Sequence, residues 1–278
     1  MTTFVDASYM QTLNASGKPY MMPVSPWFYT NLPGYDKNWL WRGDDTWYQR
    51  WQQVWYLQPE FVEIISWNDF GESHYIGPLD NSSFDAFTVG QAPFAYAQDM
   101  PHDGWRDLLP FMIDTYKNGR HLITDERLVV WYRTSLAGDC SNGNTTGNTA
   151  SQLQLEFTPE DVSQDRLFFT ALLSDYANVK VMVDGYAHDG EWDFLAPRPL
   201  VTGAPGFYHG SIALTHLERA EVIMTRDDVD IFSVLGDKDV SAGNCVNGLT
   251  NWNAWVASGS GGELPQPVYP AFDLSEQT

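Results

Sequence analysis

The stretch FVEIISWNDFGESHY, Phe61 to Tyr75, decides how the chain is read. Its first seven residues are β-branched, aromatic and mostly apolar, the composition of a strand buried inside a parallel sheet. Just upstream, Asp45 to Leu57 carries Trp47, Tyr48, Trp51, Val54 and Trp55 at helical spacing, after an Asp pair suited to an N-cap and before Pro59. That pattern predicts a helix. Tyr20 to Phe28 predicts an earlier strand with an irregular end at Pro23 and Pro26. Asp107 to Asn118 predicts a second helix, with Pro110 in its first turn and Gly119 placed to end it. Strand, helix, strand, loop, helix is the rhythm of an α/β barrel or doubly wound sheet. A full barrel takes about 250 residues, and the chain changes character near residue 125. Residues 1–125 are therefore expected to form the C-terminal part of a TIM-type (β/α)8 barrel.

Residues 126–278 predict an antiparallel β-sandwich. Leu128 to Tyr132, Gln152 to Phe157, Leu167 to Leu173, Val179 to Val183, Ser211 to Leu214, Val222 to Thr225 and Ile231 to Leu235 are short runs of strand formers divided by turn residues. Ala137 to Ala150 is expected to be a surface loop and Ser258 to Gly262 a linker. The fold class expected is α/β plus all-β, a partial barrel followed by a sandwich.

Composition narrows the partners. Of 278 residues, 15 are Lys or Arg and 36 are Asp or Glu, giving a net charge of −21 and a pI near 4.3. Nucleic acid and anionic membrane surfaces both require a basic face, so neither is an expected partner. No apolar run reaches the length of a transmembrane helix. Seven of the twelve tryptophans, Trp27, Trp39, Trp41, Trp47, Trp51, Trp55 and Trp67, lie in the first quarter. Amphipathic rings beside many carboxylates suit a neutral, hydroxylated ligand.

Asp69 and Glu72, directly after the predicted strand FVEIISW, are the candidate catalytic pair. In a continuing strand, residues i and i+3 point to opposite faces, so both acids reach one pocket only if the chain turns. Gly71 is expected to supply that freedom. Between residues 51 and 100 there are seven acids and no Lys or Arg. Repulsion and aromatic burial are then expected to raise one carboxyl and leave the other ionised. Glycoside hydrolysis uses that combination of acid and base. The histidines show no paired metal-ligand spacing, and neither a zinc cysteine cluster, a phosphate-binding glycine loop nor a serine elbow is present. No metal and no cofactor are expected.

Cys140 and Cys245 lie in similar polar loops, AGDCSNG and SAGNCVNG, and form a disulfide or remain two free thiols. Asn14, Asn81 and Asn144 each begin an Asn-X-Ser/Thr triplet, which leans toward a secreted protein.

The blocks YMMPVSPWFYTNLPGYDKNW (Tyr20 to Trp39), WRGDDTWYQRW (Trp41 to Trp51), EIISWNDFGESHYIGPL (Glu63 to Leu79) and TNWNAWV (Thr250 to Val256) resemble the fungal α-1,3-glucanases, or mutanases, of glycoside hydrolase family 71. The resemblance implies a secreted or wall-associated, endo-acting enzyme that cleaves α-1,3-glucan with inversion, through a barrel followed by a β-sandwich. It places the catalytic pair on Asp69 and Glu72. Glu72 is expected as acid and Asp69 as base, from the slightly higher reference pKa of Glu. Trp27, Tyr29, Trp41, Asp44, Asp45, Trp67, His74 and Tyr75 lie in the same blocks and are candidates for sugar subsites. Family members carry earlier barrel strands ahead of this segment, so a leader is expected to be missing along with them. The alternative expectation is a truncated remnant that binds glucan without cleaving it.

Overall fold

The computed structural model describes residues 2–147, 155–193 and 205–270. An exposed helix α1 (Phe4–Ala15) leads into β1 (Met21–Val24), a hairpin of β2 (Tyr29–Leu32) and β3 (Lys37–Leu40), helix α2 (Thr46–Leu57) and β4 (Phe61–Ile64). A long loop follows, holding the short helix α3 (Asp85–Val89), and α4 (Leu109–Asn118) closes this part. The rest is β5 (Ile123–Tyr132), a one-turn α5 (Pro159–Val162), β6 (Arg166–Leu173), β7 (Asn178–Val183), β8 (Tyr186–Trp192), β9 (Gly206–Ala213), β10 (Ala220–Arg226), β11 (Val229–Gly236) and β12 (Trp255–Val268).

The expected α/β barrel is not formed. Strands β1 and β4 do pair in parallel, Met21 opposite Phe61 through Val24 opposite Ile64, with α2 as their crossover. Among the described residues that sheet has two strands. After β4 the chain returns as loops and 3₁₀ turns rather than as further parallel strands. Alternate residues Met21 and Phe61 are each 51 % exposed, unlike a parallel sheet covered on both faces.

The dominant element is instead one eight-stranded antiparallel sheet, in the order β11-β10-β7-β8-β9-β6-β5-β12. It curls until its two edges, β11 and β12, meet, making a nearly closed barrel rather than a sandwich of two sheets. The meeting edges explain the glycine run that sequence reading takes as a linker. Residues 258–262 lie within β12, and a side chain at Gly259 would sit 2.8 Å from the Ser233 carbonyl oxygen on β11. Glycine is needed where one backbone approaches another so closely. The expected strand at 152–157 falls partly outside the described residues, and its described remainder is not in a strand.

The sheet is covered on both faces over its central strands, which accounts for their near-continuous apolar runs. In β5, Val129 and Trp131 face one cluster with Trp47, Trp51, Val54, Phe111 and Met112 of α2 and α4. Leu128, Val130 and Tyr132 face the barrel interior with Phe169, Val181, Val222 and Met224. Strand β6 divides likewise, Phe168 and Leu172 outward, Leu167 and Phe169 inward. A third cluster, with Tyr29, Leu32, Phe70, Tyr75, Tyr96 and Trp252, supports the hairpin and the long loop. Cys140 and Cys245 are joined in a disulfide, with 5.7 Å between their Cα atoms. No described helix is long and apolar enough to cross a membrane.

Candidate active site

The chain leaves β4 through a cis peptide bond between Ile65 and Ser66 and folds back on itself at once. Ser66 N–H donates to the His74 carbonyl, Ile76 N–H to the Ser66 carbonyl, both at 2.9 Å, and Gly77 N–H to the Trp67 carbonyl at 2.8 Å. Between these rungs, Phe70–Glu72 form a 3₁₀ turn with Asp69 at its N-cap position, the side chain making no cap bond. The turn brings the carboxylates of Asp69 and Glu72 to the same side, with oxygens within 4.8 Å of each other. Phe70 points the other way, buried against Tyr75 and Phe84 at 4.9 and 5.1 Å between ring centroids.

Gly71 acts differently from the expectation. The left-handed backbone belongs to Ser73, with φ 58°. Gly71 lets the turn approach Leu32 of β2, where an added Cβ would meet Leu32 Cδ1 at 3.2 Å. The Tyr96 hydroxyl donates to the Gly71 carbonyl at 2.6 Å.

The two carboxylates have unlike surroundings. Glu72 Oε2 lies 3.0 Å from His74 Nε2, His74 Nδ1 is 2.9 Å from Ser66 Oγ, and Asp69 N–H donates to that same hydroxyl at 3.0 Å. The tautomer with its proton on Nε2 satisfies every group in this chain. On its other side, Glu72 Oε1 accepts from the Lys37 ammonium. The His74 hydrogen bond, opposed by burial and reinforced by Lys37, brings Glu72 down to about 2. Asp69 moves the other way. Its side chain is 46 % exposed, yet desolvation by the surrounding protein raises its pKa, with the Glu72 charge adding to the rise and His74 and Lys37 working against it.

The candidate subsite residues divide by exposure. Trp67 is 58 % exposed and lies under the Arg106 guanidinium at 5.3 Å. Trp41 is 38 % exposed and stacks on Phe28, whose ring is also 5.8 Å from His74. Of these residues His74 meets the acidic pair directly, Trp41 is linked to it through Phe28, and Trp67 lies two residues before Asp69 in the chain. Trp27, Tyr29, Asp44 and Tyr75 are instead interior. Trp27 Nε1–H donates to the Trp252 carbonyl at 2.9 Å, Tyr29 packs on Tyr96, and the Tyr75 hydroxyl donates to the Met100 carbonyl. Asp44 accepts from Gln164 N–H at 2.8 Å, and burial pushes its carboxyl up to about 6 against the pull of Arg133. Asp45 pairs with His209 of β9.

Lys37 and Ser66 are the contributors that sequence reading misses. Lys37 is 35 residues from Glu72 and arrives through a hairpin, and the one available signal was the Pro33-Gly34 turn between aromatic runs. One ligating atom from each of Asp69, Glu72 and His74 falls within 4.8 Å of the others, and the same holds for Asp45, Asp193 and His209. In the first group the Lys37 ammonium already supplies positive charge to Glu72. In the second, the His209 nitrogens are engaged by Asp45 and Thr170. Neither group is assigned as a metal centre.

Two carboxyl groups in unlike surroundings are the kind of pair that glycoside hydrolysis uses as a class. The chain belongs to glycosyl hydrolase family 71, whose profile matches residues 1–267. It is 33 % identical over 265 residues to a mutanase of Penicillium rubens, covering 95 % of this chain and 53 % of that protein. It is 35 % identical over 178 residues to a glucan endo-1,3-alpha-glucosidase of Schizosaccharomyces pombe, covering 63 % of this chain and 38 % of the other. An ascus wall endo-1,3-alpha-glucanase of the same yeast is 37 % identical over 112 residues, 40 % of this chain and 25 % of that one. The chain thus spans about half the length of the Penicillium relative, and the alignments cover less of the two yeast proteins. No solved structure matches it.

Proposed function

We propose that the chain carries the acid–base pair of an endo-acting α-1,3-glucan hydrolase, with Asp69 as general acid and Glu72 as the anionic partner. The observation that carries this reading is the placement of two carboxylates on one side of a single 3₁₀ turn, in surroundings that raise one and lower the other. This reverses the roles expected from reference values, because the partners of Glu72 outweigh the small intrinsic difference between Glu and Asp. The names of the two yeast relatives support α-1,3-glucan as the substrate, beside the mutanase of Penicillium rubens.

In this reading Asp69 passes its proton to the glycosidic oxygen as the bond to C1 breaks. Water attacks C1 from the opposite side and gives its proton to Glu72, each of whose oxygens keeps a second lone pair beside Lys37 or His74. Trp41 and Trp67 offer ring faces on which the chain of sugars can lie. A secreted or wall-associated setting is part of the same proposal, supported by the Cys140–Cys245 bridge and by exposed Asn14, Asn81 and Asn144.

The test is release of reducing ends from insoluble α-1,3-glucan, measured for the chain and for Asp69→Asn and Glu72→Gln. Loss of at least about 100-fold in either variant, with binding retained, supports the assignment. Unchanged turnover in both rejects it, and glucan binding by the parent chain without any product identifies a binding remnant.

A further inference from the structure

Two carboxylates this close share one proton between them unless something breaks their equivalence, since like charges at short range resist joint ionisation. Burial alone does not separate Asp69 from Glu72, because desolvation acts to raise both. His74 also faces both, with Nε2 at 3.0 Å from Glu72 and 3.9 Å from Asp69. Its hydrogen bond, however, goes to Glu72, and Lys37 adds a full positive charge bonded to that same carboxylate.

Its position is built into the fold. Lys37 begins β3 opposite Leu32, the last pair of the hairpin. Gly34 N–H donates to the Gly90 carbonyl at 2.8 Å beside this turn. Asn38, the next residue, is held by Gly143 and Thr145 through hydrogen bonds of 2.9 and 2.7 Å. Leu32 packs on the 3₁₀ turn that carries the acids. The hairpin therefore has little freedom to slide along the site, and its lysine, 42 % exposed at the side chain, is delivered to one side of the pair.

We propose that Lys37 is a positioning residue that acts with His74 to decide which carboxylate keeps the proton: its ammonium holds the negative charge on Glu72 and leaves the proton to Asp69. The inference rests on the acid–base reading above and deepens it. The titratable and charged groups facing the pair are Lys37 from β3, His74 from the returning limb of the loop, and Tyr96 from the segment after α3. With Lys37 removed, Glu72 keeps its His74 hydrogen bond but loses the neighbouring ammonium, and the difference between the two acids narrows. Glu72 then competes for the proton, and the range of pH in which an acid and a base coexist contracts from its acidic side.

The experiment compares the parent chain with Lys37→Met and Lys37→Arg. The first readout is carbon NMR titration of side-chain carboxyls in protein labelled at Glu, with the Glu72 signal identified by its absence in Glu72→Gln. The second is the pH profile of kcat/KM on α-1,3-glucan. The expected result is a Glu72 midpoint raised by about one pH unit or more in Lys37→Met, the scale of a lost opposite charge at short range. Restoration in Lys37→Arg and an acidic limb of kcat/KM displaced in the same direction complete it. A structural contribution from the lysine stem alone would lower stability without moving either quantity. An unmoved Glu72 midpoint in folded Lys37→Met overturns the inference even if Asp69→Asn is inactive. Full activity of both Asp69→Asn and Glu72→Gln removes the catalytic reading instead, whatever the titration shows.

Discussion

His209 Nε2 lies 3.0 Å from the Asp45 carboxylate, joining β9 to the first turn of α2 across 164 positions of sequence. The same imidazole meets Thr170 Oγ1 at 2.8 Å through Nδ1 and stacks against Tyr48 and Trp131. Asp45 stands at the N-cap of α2, yet makes no side-chain cap bond; its carboxylate goes to the barrel. His209→Ala leaves a void and unpaired polar groups, and is expected to cost about 2–4 kcal/mol in denaturant unfolding. A change below about 0.5 kcal/mol would contradict the view of this pair as a tie between helix and sheet.

Asp44 makes stability depend on pH in the sense opposite to Glu72. Its folded-state value, about 6, is above the ordinary 3.8, so the folded protein binds the proton more tightly. Stability from this group is greatest below about pH 4, falls as pH rises through about 4 to 6, and then levels off. Glu72, lowered to about 2 from 4.5, contributes stability that is present above about 4.5 and lost as pH falls toward 2. Asp44→Asn keeps an acceptor for Gln164 N–H, and its thermal midpoint relative to the parent is expected to improve between pH 4 and pH 7. A difference that stays constant across that interval rules out the assignment.

The Cys140–Cys245 bridge spans a sequence separation of 105. For a loop of about 100 residues the chain-entropy limit is about 4.7 kcal/mol, and realised values run nearer 2–4. Paired Cys140→Ser and Cys245→Ser substitutions should lower unfolding free energy by that amount while leaving the acidic pair untouched. Equal denaturation midpoints for the bridged and serine forms would show that the link constrains little.

Trp67 and Trp27 should respond oppositely to truncation. Trp67→Ala removes an exposed ring, so apparent affinity for glucan drops several-fold with a stability change within about 0.5 kcal/mol. Trp27→Ala deletes a core side chain hydrogen-bonded to Trp252, costing about 3–5 kcal/mol. Calorimetric melts together with polymer pull-down distinguish the two patterns, and a Trp67→Ala variant that binds normally excludes that ring as a subsite.

Inverting glycosidases hold their carboxyls about 6.5–9.5 Å apart to admit water, whereas oxygens of Asp69 and Glu72 lie within 4.8 Å. Glu72 is pinned from both sides and Asp69 is half exposed, so the inverting route proposed above requires the pair to open by rotation of Asp69 when substrate and water enter. The first product released from an α-linked chain is then expected as the β-anomer, followed by proton NMR before mutarotation. Initial appearance of the α-anomer would instead assign the close spacing to the working state and make Glu72 a nucleophile.

Several of these features are readable without coordinates. Trp47, Trp51, Val54 and Trp55 specify α2 because helical spacing of large rings admits few other structures, and Gly119 ends α4 with φ 73° as its position suggests. The runs in β5, β6, β7, β10 and β11 are legible as strands. Their assembly is not, since the residues facing the inside of a closed barrel and those facing between two stacked sheets alternate in the same way. A strand, helix and parallel strand also read the same whether they belong to a sheet of eight or, as among the described residues here, to a sheet of two.

The residues alone determined the presence of the acidic motif, the aromatic surroundings and the family kinship, because each is a property of short contiguous blocks. The tertiary structure decided the closure of the sheet, the interior placement of Trp27, Tyr29, Asp44 and Tyr75, and the arrival of Lys37 at Glu72. Those outcomes depend on where separate segments meet in space, and local propensity and periodicity carry no term for that meeting.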